Sequence, residues 1–338
     1  MKYSVRPLVF MSALIPLLVG LNLMTGSVDI PLLDVGRILL GQGGDVRPSW
    51  QYIVMEVRLP QTVMALVGGM ALSVSGLLLQ TSFRNSLAGP DVFGINSGAA
   101  LAVALVMMGV DVPLSGFSVG GYAVVLLAAF VGSMVVTTVI LALSRFVRSA
   151  AMLLIVGLMI GYLTGSAISL LNFYSTQEGV KQYAVWGMGT FSNVTLAQLP
   201  IAVMVIAVSL VVALLQVKSL NVMLLGDAHA ASLGIDVRRT RRLLLAVTGL
   251  LTATVTAFCG PVSFIGLASP HIARMLIGSD NHGRLLPFTI LTGADVALLC
   301  CWICSLPLFD GAIPLSSVTP IVGAPVVIYV ILKKKTCF

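Results

Sequence analysis

Long apolar runs separated by short polar segments organise this chain from end to end. The runs approach 20 residues, enough at 1.5 Å rise per residue to cross a hydrocarbon core of ~30 Å. The pattern predicts spanning helices near 8–24, 61–80, 92–109, 120–143, 151–173, 194–216, 243–260, 262–278, 285–306 and 314–332. The expected fold class is therefore all-α, a polytopic membrane protein with about ten transmembrane helices. Gly157, Gly161, Gly165, Ser166 and Ser169 recur within one span, and such small residues let helix backbones approach closely. No soluble segment, long linker or 20–50-residue repeat interrupts the runs, so residues 1–338 read as a single transmembrane domain.

Composition fixes the solvent of this fold. The 338 residues are 58% hydrophobic and 9% charged, with a mean hydropathy of +1.06, whereas soluble domains are roughly a quarter charged. Lipid must solvate such a surface. Basic residues stay on the cytoplasmic side during insertion. With the N-terminus inside, ten spans put Lys2, Arg6, Arg84, Arg145, Arg148, Lys218, Arg238, Arg239, Arg241, Arg242, Arg274, Arg284, Lys333, Lys334 and Lys335 on or near that face. The outer loops hold Arg37, Arg47, Arg58 and Lys181 against Asp29, Asp34, Asp45, Glu56, Asp111, Glu178 and Asp310. Both termini are therefore expected in the cytoplasm, with the protein multi-pass in the cell (inner) membrane. The net charge of +7 belongs to this topology and to an anionic inner leaflet, not to nucleic-acid binding. Thr25-Gly26-Ser27-Val28 is a poor signal-peptidase site, so the first span is expected to be retained.

Several chemistries fall away. Cys259, Cys300, Cys301 and Cys304 lie in apolar segments, where cysteine acts as a small hydrophobe, and Cys337 sits at the end of the chain. Neither a disulfide nor a redox role is predicted. His229, His271 and His282 are far apart in sequence, without zinc-ligand spacing, so no metal site is expected. A phosphate loop requires Gly-Lys, and that dipeptide does not occur. The chain is therefore not expected to be an enzyme, and any ATP and Mg must be held by a partner. Asp295 is the sole acid within a predicted span, which leaves a proton-coupled secondary transporter as the alternative.

The longest cytoplasmic loop runs Leu224-Leu-Gly-Asp-Ala-His-Ala-Ala-Ser-Leu-Gly-Ile-Asp236, with Arg238, Arg239, Arg241 and Arg242 behind it. Asp227 is expected to cap a short helix whose small face, with Ala228 and Ala231, permits close contact, and Gly234 to end it left-handed. Such a helix suits a groove on another protein. Composition alone favours a surface turn with an ordinary basic flank.

This segment resembles the coupling helix, here about 226–236, of the FecCD or BtuC-like permeases of binding-protein-dependent importers. Their G-[ED]-x-x-A-x-x-L-G pattern is met by Gly226, Asp227, Ala230, Leu233 and Gly234, with Ala228, His229 and Ala231 between. Further family blocks follow in order: Arg58-Leu-Pro60, Ser75-Gly76 with Gln80, Phe83-Arg-Asn-Ser-Leu-Ala-Gly-Pro90, Gly94 and Ser97-Gly-Ala99. Gly260-Pro261, Phe264-Ile-Gly-Leu267, Pro270-His-Ile-Ala-Arg274, Arg284-Leu-Leu-Pro287 and Gly323-Ala-Pro325 complete the set, covering roughly residues 50 to 332. Pro60 suits a helix start, and Pro270 a helix start or break.

The resemblance implies a BtuC-like type II ABC importer bundle: a homodimeric permease with two cytoplasmic ABC ATPase subunits and an outer substrate-binding protein. The expected cargo is a bulky metal chelate, with ferric siderophore first and haem and cobalamin behind it. Arg84, His271 and Arg274 are candidates for the ATPase face. The span from Met152 to Phe173 resembles the pathway segment, with Tyr162, Thr164, Ser166, Ser169 and Asn172 as candidate contacts. Relatives dock the outer protein through arginines, one of which matches Arg58. Gln61, Cys301, Ser305 and Ala312 replace other charged family positions, leaving Arg37 and Arg47 to compensate.

Overall fold

The structure, a computed structural model, describes residues 6–42, 44, 46–109, 119–146, 150–306 and 313–335. Lys2, Asp45, Asp111, Arg148, Asp310, Ala312 and Cys337 lie outside the described residues. Helices follow one another as α1 (Arg6–Met24), α2 (Leu32–Leu39), α3 (Pro48–Tyr52), a π-helical segment (Ile53–Arg58), α4 (Leu59–Ser82), α5 (Ile95–Gly109), α6 (Val119–Leu143) and α7 (Ala150–Tyr174). Then come α8 (Gln177–Gly187), α9 (Leu199–Leu215), α10 (Val217–Met223), α11 (Asp227–Ser232), α12 (Val237–Cys259), α13 (Ile265–Ile277), α14 (His282–Cys304) and α15 (Leu315–Lys335). The fold is all-α, and no strand occurs among the described residues.

All ten predicted spans fall on helices, although not every helix is long enough to cross a bilayer alone. Among the described residues six are long and apolar enough, or seven when α9 and α10, bent by 54°, form one span. The shorter apolar helices are α5, α13 and the Leu315–Val330 part of α15. α5 and α13, at 15 and 13 residues, reach only about 22 and 20 Å. Both are packed within the bundle, so neighbouring helices cover what they cannot span themselves.

α4 is the axis of the packing, touched by α9, α12, α13 and α14. Its glycines set the distances. A Cβ on Gly69 would strike the Gly293 carbonyl of α14, and one on Gly76 the Gly266 carbonyl of α13. Backbone meets backbone at both crossings, as small residues allow in membranes. Met64, Leu72, Leu77, Leu251 and Leu298 fill the core around them.

Residues 25–60 are not merely an outer loop, because α2, α3 and the π-helical segment close over a small core of Leu23, Ile30, Val35, Ile38, Val46 and Val54. Pro60 lies in the first turn of α4, as expected, although helical backbone is continuous through 35 residues from Pro48 to Ser82. The π-helical segment immediately before Pro60 widens the backbone where a proline ring and missing N–H disturb α-helical bonding. Pro270 lies inside α13, whose N-cap is instead Phe264 with φ 66.

Candidate functional site

At one end of the bundle α11 sits between α10 and α12. Gly226, with φ 103, is its N-cap, and Asp227 is its first helical residue rather than the cap. The Asp227 carboxylate is occupied by Arg241 of α12, whose Nη2 donates to both oxygens at 3.0 and 3.1 Å. Arg241 Nε also donates to the Ser82 carbonyl at 3.2 Å, and its guanidinium lies 5.9 Å from the Phe83 ring centroid. Gly234, with φ 84, turns the chain after α11, and Asp236 caps α12 by accepting the Arg239 N–H. Ala230 is buried, while Ala228, His229, Ala231 and Leu233 are exposed beside Leu224 and Leu225. The result is a short helix, pinned from behind by an ion pair, that presents small and apolar side chains outward.

The three candidate basic residues near this end divide. Arg84, exposed and at φ 46, brings Nη1 to 3.2 Å from where a Gly226 Cβ would stand. His271 is buried and its Nε2 lies 2.8 Å from the Ser86 carbonyl. Arg274 turns inward, donating to Gln80 Oε1 at 2.6 Å and pairing through Nε with Asp280 at 3.3 Å. Gln80 in turn donates to the Leu267 carbonyl at 3.3 Å. His271 and Arg274 thus bind α13 to α4 and to the turn after it, and Arg84 alone of the three is exposed. His282, not singled out from sequence, joins the same stitching through Thr81 at 2.8 Å and Asn221 at 3.2 Å. Its only legible signal is a polar residue in the first turn of a span.

The connection from α4 to α5 is compact. Phe83 meets Phe93 with ring centroids 4.6 Å apart, closing it into a loop. Asp91, also missed by sequence, accepts hydrogen bonds from the Phe264 backbone N–H and the Asn96 side-chain amide. The Asn96 carbonyl oxygen accepts the Thr256 hydroxyl of α12 at 2.8 Å. Desolvation by the surrounding helices raises the Asp91 carboxyl above the usual range, and the two donors oppose that shift.

On α7, Tyr162, Ser166, Ser169 and Asn172 form an exposed stripe at helical spacing, with Tyr162 70% exposed. Thr164 departs from it: the residue is buried and its hydroxyl bonds the Ile160 and Gly161 carbonyls of its own helix.

At the opposite end, Arg58 is only 6% exposed. Its Nη1 donates to the Leu23 and Met24 carbonyls at 2.8 Å each, and Nη2 donates to Val28. It therefore caps the end of α1 and follows from an orphan-carbonyl problem that no sequence pattern announces. Beside it lies a cavity of about 490 Å³ lined by Asn22, Gln61, Thr190, Cys301 and Ser305 among others. Gln61 Nε2 lies 3.3 Å from Cys301 Sγ and 3.4 Å from Ser305 Oγ, so these uncharged positions form one cluster. Charge is presented instead by Arg37, 57% exposed and paired loosely with Asp34 at 3.5 Å, and by Arg47, exposed 5.1 Å over Trp50. Asp295 lies buried in α14 with neither carboxyl oxygen hydrogen-bonded among the described residues. Among those residues no three His, Cys, Asp or Glu side chains gather as a metal site.

Residues 14–333 match the FecCD transport family. The chain is 34% identical over 336 residues to the hemin transport system permease protein HmuU of Yersinia pestis, covering 99% of this chain and 98% of that one. It is 34% identical over 320 residues to the vitamin B12 import system permease protein BtuC of Vibrio cholerae, covering 94% and 93%. A solved inward-facing metal-chelate type ABC transporter superposes with a TM-score of 0.83 at 26% identity, over 98% of this chain and 100% of that one.

Proposed function

This chain belongs to the FecCD transport family, and from that premise we propose that it carries a bulky metal chelate into the cytoplasm, driven by ATP hydrolysis on a separate subunit. It is a multi-pass membrane permease of a metal-chelate type ABC importer, and its permease relatives match it along nearly their whole length. That end-to-end likeness is the observation that carries the reading. Haem, cobalamin and ferric siderophore are the cargo classes in view, and hemin and vitamin B12 are those named for the two relatives.

Within this reading α11 is the ATPase contact, with Arg84 beside it and Arg241 behind it. The α11 end is cytoplasmic and both termini lie on that side. The exposed stripe of α7 faces the pathway between two copies of the chain, where hydroxyls and one phenol offer weak, releasing contacts to a large ligand. Arg37 and Arg47 meet the outer binding protein, and Arg58 supports the surface from beneath. The Ala228 and Ala231 face accepts a groove only while it stays small, since overpacking a tight contact typically costs ~1–3 kcal/mol.

The test is reconstitution in liposomes with a P-loop ATPase subunit and an outer binding protein. Uptake of haem, cobalamin and a ferric siderophore is then measured with and without ATP. ATP-dependent accumulation of one chelate is expected. A second reading, proton-coupled carriage, rests on the unpartnered Asp295. Uptake that follows an imposed proton gradient without ATP, and is lost in Asp295→Asn, would replace the first reading.

A further inference from the structure

The segment 83–94 touches both ends of a mechanical problem. At its start, Phe83 underlies Arg241, which holds Asp227 of α11, and Arg84 reaches Gly226. At its far end the backbone lies directly on α7: a Cβ on Gly157 would stand 2.7 Å from Phe93 Cα and 2.7 Å from the Val92 carbonyl oxygen. A Cβ on Gly94 would stand 2.9 Å from the Gly157 carbonyl oxygen. Backbone lies against backbone there, with the Ile160 side chain beside it, so the turn and α7 are packed too closely to shift independently.

Between these ends the segment has little freedom. Leu87 N–H bonds Asn85 Oδ1, Ala88 N–H bonds the Asn85 carbonyl, and Gly94 N–H bonds the Asp91 carbonyl. Phe83, Ala88 and Phe93 share a core with Val136, Leu153 and Leu245. Two bonds brace it against α13 and its N-cap: Ser86 to His271, and Asp91 to the Phe264 N–H. Phe264 holds a left-handed backbone that non-glycine residues rarely adopt, and its Cβ lies 3.0 Å from where a Gly323 Cβ of α15 would be. Through Asn96 and Thr256, Asp91 also fixes α5 to α12. One carboxylate thus ties together the first turns of two short helices and the end of a third.

We propose that the 83–94 connection carries displacement of α11 to α7, and that Asp91 is the positioning residue that keeps the connection rigid enough to do so. The proposal rests on the reading of α11 as the ATPase contact. Without Asp91 the turn retains its contacts with Arg241, Gly157 and His271 but loses its bonds to the Phe264 N–H and to Asn96 of α5, and the push from α11 dissipates in the loosened half of the loop.

The experiment places an environment-sensitive fluorophore at Leu233→Cys, exposed at the end of α11 and away from the Ala228 and Ala231 face, or at Ser166→Cys, with the native cysteines replaced, in the complex reconstituted with the ATPase subunit. ATP should change the signal at both positions when Asp91 is present. In Asp91→Ala the change at position 233 and the ATPase rate should persist. The change at 166 should be lost, and uptake per ATP should fall about fivefold or more. Because that variant can also destabilise the fold, the reciprocal exchange Asp91→Asn with Asn96→Asp is the control. It returns an acceptor to the Phe264 N–H and to Thr256 and restores the bond between positions 91 and 96, so the response at 166 should recover. An undiminished response at 166 in Asp91→Ala, or no recovery in an exchange variant that assembles normally, overturns the proposal. A complex without the Asp91 substitution that binds ATP but is silent at 233 overturns the ATPase reading of α11 instead.

Discussion

α4 and α7 are both long, apolar and without an internal acid, yet 78% of an 18-residue apolar stretch is buried in the span containing α4 and only 22% of such a stretch in α7. Apolarity, then, sets whether a helix enters lipid and leaves its place in the bundle open. What separates the two is the use of small and polar residues. Gly69 and Gly76 of α4 each lie against the backbone of another span, and Gln80 and Thr81 bond side chains on α13 and α14. In α7, Gly157 alone makes such a backbone contact, Gly165 faces open space, and the hydroxyls of Thr164 and Ser169 bond their own helix. A helix that spends its polar groups on itself keeps its outer face available.

The sharpest way to break this comparison is to add the same bulk to both helices. Gly76→Leu forces a side chain into the Gly266 carbonyl, and because neither backbone can yield, little folded protein is expected by size-exclusion in detergent. Gly165→Leu meets nothing and should shift stability by no more than ~0.5 kcal/mol. Equal yields for the two variants would show that the bundle does not depend on the α4 crossings.

Next in size are changes on the open face of α7. Tyr162→Ala and Ser166→Leu should leave thermal unfolding nearly unchanged and lower chelate uptake several-fold, because the exposed stripe acts on what passes it. A loss of stability in step with uptake would make the stripe a packing surface. Within α4, Gln80→Leu strands Nη1 of Arg274 and the Leu267 carbonyl, and is expected to lower stability by ~1–3 kcal/mol in denaturant melts. The smallest effect is on α2, where Arg37→Glu should slow capture of the binding protein and change its salt dependence without altering stability. Arg58→Met should do the reverse, since its guanidinium bonds carbonyls and not solvent.

Much of this architecture is legible in the sequence because lipid imposes a simple rule on length and apolarity, and each of the ten runs lies on a helix. The motif at Gly226–Gly234 likewise marks a short helix with a small outward face. Arg58 is different: sequence places it among basic residues of a loop, whereas it is buried because α1 ends with carbonyls that need donors. Asp91 escapes notice for a related reason. A single acid beside a turn reads as solvated until the turn is seen to fold back onto Phe264. Long-range pairings of this kind depend on which helix ends meet, and periodicity along one helix carries no information about that.

The helix from Pro48 to Ser82 has a consequence of scale. At 35 residues it measures about 52 Å, well beyond a hydrocarbon layer of ~30 Å. Part of this rod must therefore stand proud of the oil, and its outermost stretch carries the π-helical turn Ile53–Arg58. A rod with such an overhang is a lever: a tilt of a few degrees near Ser82 swings the Pro48 end by several ångströms. The widened turn gives the lever a wrist, so that what lands on the overhang and what moves at the base do not have to move in step.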